Sequence, residues 1–118
     1  MITAYEQMVS ALKKSGNDIV KTITGTQADL LHMAVGVVGE AGELIDAVKK
    51  HVIYGKELDR DNMIEELGDI EFFMEGIRQI LGISRKETLD WNMAKLSVRY
   101  EKMKYSDQAA QARADKAS

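Results

Sequence analysis

Apolar residues recur along most of the chain at intervals of three and four, the period of amphipathic helices. Thr3 and Glu6 have capping-box spacing and predict a first helix from Thr3 to about Lys14. The stretch SGNDIVKTITGT breaks the pattern. A second helix is expected from near Thr26 to about Ile53, with Gly55 just beyond its end; Leu30, Val37, Ala41, Ile45, Val48 and Val52 share one of its faces. A third begins near Asp59 or Asp61 and ends at Leu81, with Gly82 as its C-terminal cap and Met63, Leu67, Ile70, Met74, Ile77 and Leu81 as its stripe. Ser84 and Glu87 form another capping box and open a fourth helix reaching about Met103. The fold expected is all-α, a four-helix bundle with short links. Leu31, Val35, Ile53 and Phe72 lie off the main stripes and read as a second buried surface, consistent with an oligomer. Residues 1–103 read as a single helical domain. Residues 104–118 carry no apolar stripe and read as a polar tail, frayed or disordered.

Composition narrows the class. With 118 residues, 45% hydrophobic, no Pro and no repeated segment, the chain fits one domain. A net charge of −3 argues against a general nucleic-acid binder, whose contact face is normally basic. The absence of Cys excludes disulfides and thiolate metal sites. The amphipathic N-terminus MITAYEQMVSALKKSG lacks the apolar run of a signal peptide, and no segment approaches the ~20 apolar residues of a membrane span. A cytoplasmic protein is the expectation.

The carboxylates carry the candidate chemistry. In VVGEAGELIDAVKK, residues 37–50, two glycines sit in consecutive helical turns although each costs roughly 1 kcal/mol against alanine. Glu40 falls on the edge of the apolar face of the second helix, and Glu43 lies beside it next to Gly36, Gly39 and Ala47. On the third helix Glu66 falls inside the stripe, between Met63, Ile70 and Phe73, with Asp69 at the margin. Antiparallel packing at ~8–10 Å between axes would gather both pairs into one cleft. Four carboxylates there repel, so either some protonate or a cation binds. Oxygen donors without Cys or a suitable His pair indicate a hard ion, best Mg²⁺, with Mn²⁺ as an alternative. The competing reading leaves all four on ordinary solvated helix faces.

On the fourth helix Asn92, Lys95 and Arg99 share a strip beside the apolar stripe, with Thr88 close by. Lysine supplies a point charge and arginine a bidentate fork, the combination a polyphosphate needs. His32 is read as a hydrogen-bonded structural histidine within reach of a substrate. Trp91 is read as helix–helix packing, with stacking on a base as its other use.

The run LHMAVGVVGEAGELIDAVKK, followed by EELGDIEFFMEGI and NMAKLSVRY, resembles the MazG-like, all-α nucleoside triphosphate pyrophosphohydrolases over about residues 27–101. Their E-x-x-E and E-x-x-D halves correspond to Glu40-Ala41-Gly42-Glu43 and Glu66-Leu67-Gly68-Asp69. The resemblance implies that Glu40, Glu43, Glu66 and Asp69 bind Mg²⁺, and that Asn92, Lys95 and Arg99 contact substrate phosphates. It implies hydrolysis of (d)NTPs between the α- and β-phosphates, giving nucleoside monophosphate and pyrophosphate. Glu43 is the expected residue for orienting or deprotonating the attacking water. A homodimer or homotetramer with sites built partly across subunits is also implied. The alternatives are the related phosphoribosyl-ATP pyrophosphohydrolases and a non-catalytic helical interaction module. A ferritin-like di-iron site would want two E-x-x-H pairs, and this chain has none.

Overall fold

The structure, a computed structural model, describes residues 2–116. In chain order it forms α1 (Ala4–Leu12), α2 (Gly16–Thr22), α3 (Gly25–Val52), α4 (Arg60–Leu81), α5 (Arg85–Arg99), α6 (Asp107–Ala112) and a 3₁₀ turn at Ala114–Lys116. The fold is all-α, with no strand among the described residues. Nor is any described helix long and apolar enough to cross a membrane.

Local chemistry sets most helix ends. The Thr3 hydroxyl accepts from the Glu6 N–H at 3.2 Å while the Glu6 carboxylate accepts from the Thr3 N–H at 3.0 Å, completing the expected box. Thr24 and Gln27 make the same reciprocal pair, so α3 starts slightly earlier than its apolar pattern indicates. Asp59 caps α4 by accepting from the Asn62 N–H at 3.0 Å. At the other end Gly82 takes φ +69, a left-handed turn that glycine enters without steric cost. Ser84 caps α5 by accepting from the Glu87 N–H at 3.0 Å, half of the expected box, since the Glu87 side chain makes no return bond to the Ser84 N–H. That helix ends at Arg99 rather than near Met103: the backbone leaves helical geometry at Tyr100, with φ −120 and ψ 71, and Met103 turns to a left-handed φ of 53. The pattern-breaking SGNDIVKTITGT stretch holds the two-turn α2, and the tail holds α6, capped by Ser106.

Helices α3 and α4 form an antiparallel hairpin. Their facing positions are Leu30, Met33, Val37, Glu40, Leu44 and Ala47 on one side, and Met63, Glu66, Ile70, Phe73, Ile77 and Ile80 on the other, all half-buried or buried. The alternating steps of three and four are those of a coiled-coil seam. This face is rotated from the one a 100° wheel selects. Ile45, Val52, Leu67 and Leu81, expected inward, are 63%, 65%, 56% and 55% exposed. Two wrapped helices keep a 3.5-residue repeat in register, whereas a straight wheel drifts ∼20° per heptad. Glycines make the seam close: a Cβ at Gly36 would overlap the Phe73 ring, and one at Gly76 would overlap Met33 Sδ.

A single chain closes only part of a bundle. Ala47 is the one buried hydrophobic residue among those described. The radius of gyration is 20.2 Å, against about 13.5 Å for a compact domain of this length. Helices α1, α2 and α5 extend from the hairpin without extended packing on it. At the foot of α5, buried Arg78 pairs with Glu71 and, at 2.9 Å, with Glu75; Arg85 reaches Glu71 at 3.7 Å. Both Arg78 pairs lie within α4, and the Arg85–Glu71 pair crosses the α4–α5 corner.

Candidate metal centre

Glu40 and Glu66 occupy seam positions where a coiled pair normally buries aliphatic side chains. Asp69 follows Glu66 by one turn, at the exposed margin. One carboxylate oxygen from each of Glu40, Glu66 and Asp69 lies within 4.8 Å of the others. Glu66 is 9% exposed, and its Oε2 has no hydrogen-bond partner. An orphaned buried carboxylate oxygen is costly unless a proton or a cation satisfies it.

The acid chemistry of Glu66 reflects this crowding. Its pKa is pushed up to about 7 from an ordinary 4.5. The adjoining Glu40 carboxyl, which favours a shared proton, is the largest cause. Burial follows, then the charges of Glu40, Asp69 and Glu43. Three convergent carboxylates, one with an unsatisfied buried oxygen, fit a hard divalent cation better than any softer metal. Glu43 is exposed, one turn beyond Glu40; its charge reaches Glu66, but its oxygens lie outside the group of three. A Cβ at Gly39, Gly42 or Gly68 would meet nothing within 4 Å, so the hairpin beside the acidic group is open.

The strip on α5 is placed elsewhere within one chain. Asn92 and Lys95 line an open groove of about 710 Å³ with Thr88, Trp91 and Val98, and with Asp115 and Lys116 from the tail. Arg99 Nε donates to Asp115 Oδ1 at 2.8 Å. Asp115 lies in the segment read from the sequence as a frayed or disordered polar tail, and no sequence signal links these two residues, 16 positions apart. Trp91 is 72% exposed on the wall of this groove. His32 sits edge-on to Phe73, ring centroids 6.5 Å apart, as an aromatic neighbour of the seam. Buried Arg78 is a further charged residue the sequence pattern did not single out.

Residues 28–104 match the family model described as the MazG nucleotide pyrophosphohydrolase domain. The chain belongs to that family. Membership suggests nucleotide pyrophosphohydrolase activity, and enzymes of the family are typically divalent-metal dependent; the Glu40–Glu66–Asp69 cluster is a group of carboxylates in this chain that could hold such an ion. Both halves of the MazG-like motif, residues 40–43 and 66–69, lie within the matched span, as do Asn92, Lys95 and Arg99; Asp115 lies outside it. The chain has no significant match among the curated proteins or the solved structures compared with it.

Proposed function

We propose that this chain hydrolyses (d)NTPs between the α- and β-phosphates, releasing nucleoside monophosphate and pyrophosphate, with Mg²⁺ as its ion and Mn²⁺ as a substitute. The observation that carries the reading is the unpartnered Oε2 of buried Glu66 within the three-carboxylate group. Glu40, Glu66 and Asp69 would hold the ion, with Glu43 completing the set from the open side. When bound, the ion supplies charge neutralisation for the polyphosphate and makes a nearby water more acidic.

The remaining work falls to side chains. The Glu43 carboxylate, exposed one turn beyond Glu40, orients the attacking water and takes its proton as the water oxygen bonds to the α-phosphorus and pyrophosphate leaves. Asn92 donates its amide N–H to a phosphate oxygen, Lys95 offers a compact charge, and Arg99 offers its fork. Gly39 and Gly42 leave space for phosphate to approach the helix backbone.

The α5 groups would come to the acidic cluster from another copy of the chain. The accessible surface is 9897 Å², against about 6400 Å² for a folded monomer of 13.2 kDa. Val38, Ile45, Leu31 and Val35 form an outward apolar line on α3, each more than half exposed. A homodimer or homotetramer covers that line and brings one chain's α5 to another chain's α3–α4 hairpin.

The test is product analysis by ion-exchange chromatography with each common NTP and dNTP, with Mg²⁺ or with EDTA. Monophosphate plus pyrophosphate, formed only with Mg²⁺ and lost in Glu66→Gln, is the expected result. Diphosphate plus orthophosphate would place cleavage at the wrong bond. No turnover, together with no Mg²⁺ binding by calorimetry, would favour an interaction module.

A further inference from the structure

The segment after α5 doubles back: α6 and the 3₁₀ turn pack along α5 and return Asp115 to Arg99. The two side chains are 7% and 17% exposed, so this is an enclosed pair rather than a solvated surface contact. Asp115 and Lys116 also form part of the wall of the groove that contains Asn92 and Lys95. A carboxylate and a phosphate oxygen are alternative partners for the same guanidinium edge.

We propose that the C-terminal segment is an anionic latch, in which Asp115 holds the Arg99 guanidinium in place of a phosphate and must be displaced when a polyphosphate binds. The inference rests on the reading of Arg99 as a phosphate contact. The Arg99 hydrogen bond, with a smaller contribution from the Lys95 charge, outweighs burial and holds the Asp115 carboxyl below its ordinary range. The latch therefore stays anionic at neutral pH. A site that is open only part of the time binds more weakly by the fraction open. Releasing the tail strengthens binding, whereas an Asp115 that merely positioned Arg99 would give the opposite sign.

The experiment uses the full chain and its single tryptophan. Trp91 lines the same groove as Asp115, so its emission reports tail docking. Inorganic tripolyphosphate with Mg²⁺ is the probe, and KM for the best-hydrolysed nucleotide is the second readout. Asn keeps an acceptor but loses the charge, so Asp115→Asn is expected to lower KM and the tripolyphosphate Kd about three- to tenfold, with little change in kcat. Its ligand-free Trp91 emission should already match that of the wild type saturated with tripolyphosphate, and Asp115→Glu should restore wild-type behaviour. A raised KM and Kd in Asp115→Asn, or no change in either, overturns the latch. If Arg99→Gln meanwhile weakens tripolyphosphate binding, the phosphate role of Arg99 survives that failure. If Arg99→Gln binds tripolyphosphate like the wild type, that role falls and takes the latch with it.

Discussion

Val38 stands 73% exposed on the outer line of α3, beside Val35 and Gly39 along one strip of apolar surface. Substituting it by glutamate tests whether that strip is an interface. The chain exposes roughly 3500 Å² more than a compact monomer of its mass would. Stable obligate interfaces commonly bury 2,000–5,000 Å² in total, so the excess is more than a weak encounter needs. Covering a carboxylate at position 38 would cost several kcal/mol per copy, and symmetry repeats the cost in each subunit. Since every 1.4 kcal/mol is about a tenfold change, Val38→Glu should raise the dissociation constant by several orders of magnitude. Sedimentation equilibrium over nanomolar to micromolar protein is the assay. The wild type is expected at two or four times 13.2 kDa, and the variant at lower mass with much reduced helicity. A wild type that sediments at 13.2 kDa and still unfolds cooperatively would refute the reasoning, as would a variant of unchanged mass.

The remaining predictions concern the hairpin and its carboxylates. Glu66 has a folded pKa of about 7 and an ordinary value of 4.5, so between these pH values the folded state binds the extra proton. The metal-free protein should therefore lose stability as pH rises from about 4.5 to 7 and then level off; in EDTA, melting curves of Glu66→Gln should lack that part of the slope. Mg²⁺ at a hundredfold excess over its Kd should add roughly 2.7 kcal/mol to wild-type stability by mass action, seen as a higher Tm and absent in Glu66→Gln. Gly36→Ala places a methyl into the Phe73 ring and should cost about 1–3 kcal/mol in chemical denaturation, despite alanine's better helix propensity; an equal or higher midpoint would show that the seam is looser than its geometry.

Local interactions were the part legible in the sequence. The Thr3–Glu6 box, the Asp59 cap and the Gly82 turn each depend on residues at most a few positions apart, so spacing and residue type suffice to locate them. The E-x-x-E and E-x-x-D spacings likewise put each carboxylate pair one turn apart, and antiparallel pairing of their helices brings Glu40, Glu66 and Asp69 together. Only tertiary structure decided which face turns inward. Wrapping of α3 on α4 left Ile45 and Leu67 outward and drew Glu40 from the edge of its face onto the seam, opposite the Glu66 that the wheel already turned inward, because the pair follows a 3.5-residue repeat that no isolated wheel contains. It alone separated Glu43 from the other three carboxylates, held α5 away from the hairpin, and joined Arg99 to Asp115 across 16 residues. Those arrangements depend on the path of the chain through space, which hydrophobic periodicity within one helix does not encode.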